Sequence, residues 1–209
     1  PRLPVAERAA FFSILWNGHE AFTAAARELL TALAALDFAD EAFASLDALS
    51  PRETSIIDVR TLAGLGDPAD GKLAVRTRAG RQAMLPRAAL AALVAELTIA
   101  LRDKPWDFFE VTDLLDFPGA RSREKLTQPG RFLAEKGKLP GLFLRGKVAY
   151  LYQRYCAEQE ITSMLLCIGP SNQEVRTLPR MIKDWVDGTL GATPEERAAD
   201  FNDMAADPD

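Results

Sequence analysis

Chemistry-bearing side chains are scarce: the 209 residues hold one histidine, His19, and two cysteines, Cys156 and Cys167. The cysteines show no paired spacing, which leaves no cysteine and histidine set for zinc, and no metal site is expected. Both thiols sit in apolar surroundings, RYCAEQ and MLLCIGP, where an inert buried thiol is expected rather than a nucleophile. A cysteine–histidine hydrolase would need the fold to bring the distant His19 to one of them. Long apolar runs are missing too. None approaches the roughly 20 residues that cross a bilayer, so no transmembrane segment is expected. Nor is there an excess of positive charge. The formal net charge is −5, which argues against a surface built to neutralise nucleic-acid phosphates. The chain starts at Pro1 without an initiator methionine or a signal-peptide pattern, which predicts a segment of a longer protein.

What is present is ordinary globular material, 48% hydrophobic and 26% charged, in a chain long enough to bury a core. Residues 5–36 place apolar side chains at helical spacing, and Asn17-Gly18 predicts a break between two helices. Phe11, Phe12, Leu15 and Trp16 are expected to form a face packed on another element, and His19 a surface residue at a helix start. The run 55–59 (SIIDV) has strand character, and 73–77 with 81–85 reads as a hairpin around Arg78-Ala79-Gly80. Pro86 fits the first position of a deeply buried helix over 87–103.

Residues 108–117 (FFEVTDLLDF) read as an interior strand ending in Pro118-Gly119, and 162–169 (TSMLLCIG) as a second. Helices are predicted over 144–160 and over 178–190, the latter closed by Gly188 or Gly191. A last short helix starts at the capping-box sequence Thr193-Pro194-Glu195-Glu196. The expectation is an α/β fold: a mixed, partly parallel sheet with flanking helices and a helical N-terminal block, residues 1–50, before an α/β part, 55–209. The whole, 1–209, reads as a single domain or domain fragment.

Two stretches imitate a phosphate-binding loop, Gly66–Lys72 (GDPADGK) and Gly141–Lys147 (GLFLRGK). Each is followed by Leu73 or Val148 where a Ser or Thr must bind Mg2+, so both are chance matches. The run DLLDFPG is more specific. An Asp closing an apolar strand can support Mg2+ and a following Gly can offer its N–H to a terminal phosphate, which places Asp116, Pro118 and Gly119 near a nucleotide. A plain strand end, with Asp116 accepting hydrogen bonds from the Pro-Gly turn, accounts for it equally. Arg121, Ser122 and Arg123 could contact an anion or a partner chain, or form a solvated loop. Arg145 and Lys147 are placed at a helix start, where cations oppose the dipole. No catalytic nucleophile and base pair up, and catalytic residues remain unassigned.

The blocks LDALSPRETSIIDVRTL, LPRAALAALVAEL, TDLLDFPGARSRE, LFLRGKVAYLYQRY, TSMLLCIGPSNQEV and MIKDWVDGTLGATPEERA together resemble the SrfC-type family of putative bacterial virulence factors, over about Pro4 to Ala199. The resemblance implies a larger, dynamin-like, GTPase-related protein, with a phosphate loop before this segment and a guanine-reading motif after it. On it, Asp116, Pro118 and Gly119 match the Asp-x-Pro-Gly switch block. GTP and Mg2+ would then be cofactors of the parent protein, with none bound by this chain alone. Its partners would be the remaining parent segments or another protein, and its location the cytoplasm or, as a secreted effector, outside the bacterium. A non-enzymatic interaction module is the alternative, with the helical first block and Arg121–Lys138 as partner surfaces.

Overall fold

The computed structural model describes residues 3–99, 102–103, 106–112, 115, 128–135, 137–161, 163–165 and 178–199. They fall into two compact units, one within Pro1–Ala100 and Leu126–Leu144, the other within Leu101–Lys125 and Arg145–Asp209.

The first unit opens with a helical hairpin. Helix α1 (Val5–Phe12) tightens into a 3-10 turn, Ser13–Trp16, and α2 (Glu20–Ala35) returns against it. The reversal sits at Asn17-Gly18, as expected. Both adopt positive φ, 52° and 68°, a conformation that Asn and Gly reach at least cost. The Gly18 N–H donates to the Ser13 carbonyl at 2.8 Å and the His19 N–H to the Trp16 carbonyl at 3.1 Å. The Trp16 indole N–H donates to the Thr23 hydroxyl at 2.9 Å and so ties the turn to the first turns of α2.

Strands β1 (Ala42–Ala44), β2 (Lys72–Thr77) and β3 (Gln82–Pro86) form an antiparallel sheet in the order β1-β2-β3. The hairpin β2–β3 was legible in the alternation of Leu73, Val75 and Thr77, all buried, with Lys72, Ala74 and Arg76, all exposed. Gly80 supplies the positive φ, 87°, at its turn. Leu73 faces Leu85 and Val75 faces Ala83 across the pair. Their inner face packs with Ala32 of α2, Leu36 at its C-cap, Ala48, and Ala89 and Leu90 of α3 (Arg87–Leu93) to make the core. Removal of these apolar surfaces from water is the main stabilising term.

Three expectations for this half change. The sheet is antiparallel, not partly parallel: its strands are joined by a hairpin and a loop, with no crossover helix between them. Residues 55–59 form no strand. Ser55 is 1% exposed, its carbonyl accepts from the Thr61 hydroxyl at 2.6 Å, and Asp58 accepts the Arg60 N–H at 2.8 Å, so side chains cap a 3-10 turn, Val59–Gly64, in place of a ladder. Helix α3 stops at Leu93, where the next residue, Val94, turns to ψ 115°. β-Branched Val94, Thr98 and Ile99 sustain a helix poorly, and Leu97 and Ile99 lie exposed.

The start of α3 and the long loop before it are held by two side chains. The Asp70 carboxylate accepts the Ala88 N–H at 2.8 Å, capping the helix from outside it. Gly64 is needed beside it, since a Cβ there would stand 2.9 Å from Asp70 Oδ1. The Arg87 guanidinium donates to the carbonyls of Asp47 at 2.9 Å, Thr54 at 3.1 Å and Ser50 at 3.3 Å, and so gathers the 46–55 loop.

Helix α4 (Pro129–Leu133) also belongs to this unit, and α5 (Lys138–Ala157) begins in it. Helix α5 starts before the expected residue 144. In the second unit, the Tyr152 hydroxyl on α5 donates to the Met181 carbonyl of α6 (Leu178–Thr189) at 3.2 Å, and the Trp185 indole to the Ile161 carbonyl at 3.3 Å. Helix α6 agrees with the sequence reading, and Gly191, φ 102°, follows it. The capping box is present: the Glu196 N–H donates to the Thr193 hydroxyl at 3.2 Å, and the Thr193 N–H to the Glu196 carboxylate at 3.1 Å. Residues 163–165, expected within a strand, are not in one, and Leu165 is exposed.

Candidate functional site

The residues singled out for nucleotide or partner contact, Asp116, Pro118, Gly119, Arg121, Ser122 and Arg123, lie outside the described residues, as does Cys167. The run leading to them is described in part, and its described residues, 108–112 and 115, are in no strand. Asp107–Glu110 form a 3-10 turn, Val111 is 88% exposed, and Trp106, Phe108 and Phe109 stack on one another with centroids 4.2 to 6.1 Å apart. The apolar run satisfies its aromatic residues locally by stacking instead of lying in a sheet.

Both phosphate-loop lookalikes have the wrong frame. Gly66–Gly71 is a turn that feeds strand β2 at Lys72, where a phosphate loop must feed a helix N-terminus. Gly141–Lys147 is uninterrupted helix within α5, so its N–H groups are engaged by the helix itself. Arg145 and Lys147 therefore stand well inside α5, not at its start.

Burial pushes the Lys147 ammonium down to about 8, because leaving water penalises the charged form. Competitive amine labelling of the folded chain should show Lys147 reaching half-maximal reactivity near pH 8. A Lys147 midpoint above 10 would contradict the lowering by burial. Burial likewise raises the Tyr152 phenol and the Cys156 thiol, so Cys156 is held as a thiol at neutral pH and is no ready nucleophile. His19 stands at the N-cap of α2, half-buried rather than at the surface, and its Nδ1 has no hydrogen-bond partner among the described residues. Among the described residues no three His, Cys, Asp or Glu side chains are grouped to hold a metal ion, and no helix is long and apolar enough to cross a membrane.

Two surface features remain. One is a groove of about 450 Å³ between α2, β3 and α3, floored by Ala24, Ala32, Leu85 and Ala89 with Met84 and Glu28 at its sides. Burial raises the Glu28 carboxyl, against a hydrogen bond from the Gly66 N–H that lowers it, and the charge of Asp70 adds to the rise. An apolar floor with a carboxyl beside it can bind, but no nucleophile accompanies it.

The other is the tip of the helical hairpin. Phe11 is 65% exposed, Ile14 79% and Leu15 75%, and Phe12 stands edge-on to Phe11 with ring centroids 5.5 Å apart. This overturns the expectation that the cluster packs on another element; of its four members Trp16 alone is turned inward, to Thr23. Where α1 tightens into the 3-10 turn, positions i and i+3 put Phe11 and Ile14 on one side, with Leu15 exposed next to them. Periodicity marked that side as apolar, and it carries no information on whether the chain covers it. The lack of any charged residue from Ala9 to Gly18 was the available signal.

No curated protein and no solved structure matches the chain. Residues 1–204 match the sequence model of the family described as "Putative bacterial virulence factor", and the chain belongs to that family.

Proposed function

We propose that this chain is a non-enzymatic protein-interaction module of a bacterial virulence-associated protein. The observation that carries this reading is the hairpin tip, where Phe11, Ile14 and Leu15 face solvent on a turn pinned by backbone hydrogen bonds and by Trp16. Large apolar side chains held outward by a stiff scaffold are what interfaces are built from. The wrong frames at Gly66–Lys72 and Gly141–Lys147, together with the protonated Cys156, take support from hydrolytic chemistry within the described residues.

A second reading rests on one specific sequence feature, the order Asp116-Phe117-Pro118-Gly119. In it the chain supplies the switch block of a SrfC-like, GTPase-related domain whose phosphate loop lies in another segment of the parent protein, and the chain is inactive alone. One pair of measurements separates the two. Affinity capture should recover a protein with the wild-type chain and lose it, at least tenfold, with Phe11→Ser/Ile14→Ser. Unchanged capture would remove the module reading. In the parent protein, a fall of GTP turnover on Asp116→Ala would establish the switch reading, and unchanged turnover would take Asp116 out of it.

A further inference from the structure

The partner of the hairpin tip can be narrowed, on the basis of the interaction-module reading. Phe11, Phe12, Ile14 and Leu15 together leave roughly 500 Å² in solvent. A standard interface takes about 800 Å² from each partner, so this patch supplies more than half of one side and needs a partner face of the same apolar character. The patch is also electrically blank. No charged residue occurs from Ala9 to Gly18, in a chain of net charge −5. Two copies approaching through most of their surface meet like-charge repulsion, to which the residues of this turn add nothing.

The turn is rigid before any partner arrives. Gly18 and His19 donate back to Ser13 and Trp16, Asn17 and Gly18 fix the reversal with positive φ, and Trp16 is tied to Thr23. Ile14 and Leu15 are thus presented on backbone that is already ordered, which leaves only their side-chain freedom to be lost at binding. A bilayer suits this surface less well. Membrane-facing turns that hold to anionic lipid carry Lys or Arg beside their apolar residues, whereas the nearest preceding cation, Arg8, is turned to the Leu3 carbonyl at 2.7 Å and lies over the Phe38 ring.

From these features we infer that the hairpin tip is the interface of a two-fold symmetric homodimer, in which Phe11, Ile14 and Leu15 of one copy pack on the same residues of a second. A two-fold interface demands a self-complementary patch, and an uncharged apolar turn is one.

The test is the mass of the full chain in solution, read by light scattering from micromolar to millimolar concentration. The expected result is a twofold increase from 22.9 kDa as concentration rises. The Ile14→Glu/Leu15→Glu variant should stay at the single-chain mass with an unchanged circular dichroism spectrum, because both positions are exposed and the substitutions disturb no core. A photo-crosslinking residue at Phe11 should link two chains through residues 11–15. A wild-type chain at single-chain mass throughout overturns the dimer, and so does a doubled mass that survives Ile14→Glu/Leu15→Glu. Sedimentation of a monomeric chain with phosphatidylethanolamine–phosphatidylglycerol vesicles also overturns it, in favour of a lipid surface. A monomer whose capture of another protein still depends on Phe11 and Ile14 sinks the dimer alone and leaves the module reading standing.

Discussion

Truncating Leu85 to alanine should lower the stability of the first unit by about 3 kcal/mol. Leu85 is 4% exposed and faces Leu73 across the β2–β3 pair, in a cluster with Ala32, Ala89 and Leu90. The alanines of that cluster, Ala32, Ala48 and Ala89, have side chains too short to swing into the space the isobutyl group leaves. The loss therefore includes most of the cavity term as well as the transfer term. Native-state hydrogen exchange of the β2 amides is the suitable reading, since it reports this unit and not the other. Protection of Leu73, Val75 and Thr77 should fall roughly a hundredfold. A loss below about 1 kcal/mol would mean that the groove beside Leu85 collapses to refill the space.

Arg87→Ala should cost the same unit about 2 kcal/mol, through a different route. The guanidinium reaches three carbonyls, those of Asp47, Ser50 and Thr54, that belong to a loop with little regular structure. Each charge-assisted hydrogen bond is weakened by its exposure, and the three together still hold the loop against the start of α3. Arg87→Lys should recover less than half of the loss, because one ammonium lacks the planar fork that spans three acceptors. Hydrogen exchange would then show the 46–62 amides deprotected first, with the β2–β3 ladder less affected. Equal loss in Arg87→Lys and wild-type-like protection in Arg87→Ala are the two results that contradict this account.

How much of this was readable beforehand depends on the range of the interaction concerned. The Asn17-Gly18 reversal, the Gly80 hairpin, the extent of α6 and the Thr193–Glu196 capping box are decided within a few residues, and all four were legible. The failures lie where a distant segment decides. Residues 55–59 have strand composition, yet the edge beside β2 is taken by Ala42–Ala44, which show little strand character of their own. The run from Phe108 has the composition of a buried strand, and its described part, through Val111, coils into a stacked aromatic turn. The hairpin tip shows the complementary difficulty. Its helical spacing identified an apolar side correctly, but burial is a property of what lies opposite, and nothing in residues 5–36 specifies that. The sites proposed at Asp116–Gly119 and Arg121–Arg123 belong to a stretch whose chemistry the sequence alone suggests.

The sheet in the first unit bears on how the chain survives at high concentration. Its outward side carries Lys72 and Arg76 on the central strand, and its β1 edge is only three residues long. An open antiparallel sheet is a template on which further strands can stack and pair, and unchecked pairing of that kind leads to fibrillar aggregate. Cations in the middle of that side repel an identical sheet laid against it, and a short edge offers a newcomer few backbone groups to hold. Lys72 and Arg76 therefore stand where charges discourage one sheet from stacking on another, beside the exposed Phe43 and Met84 of the same side.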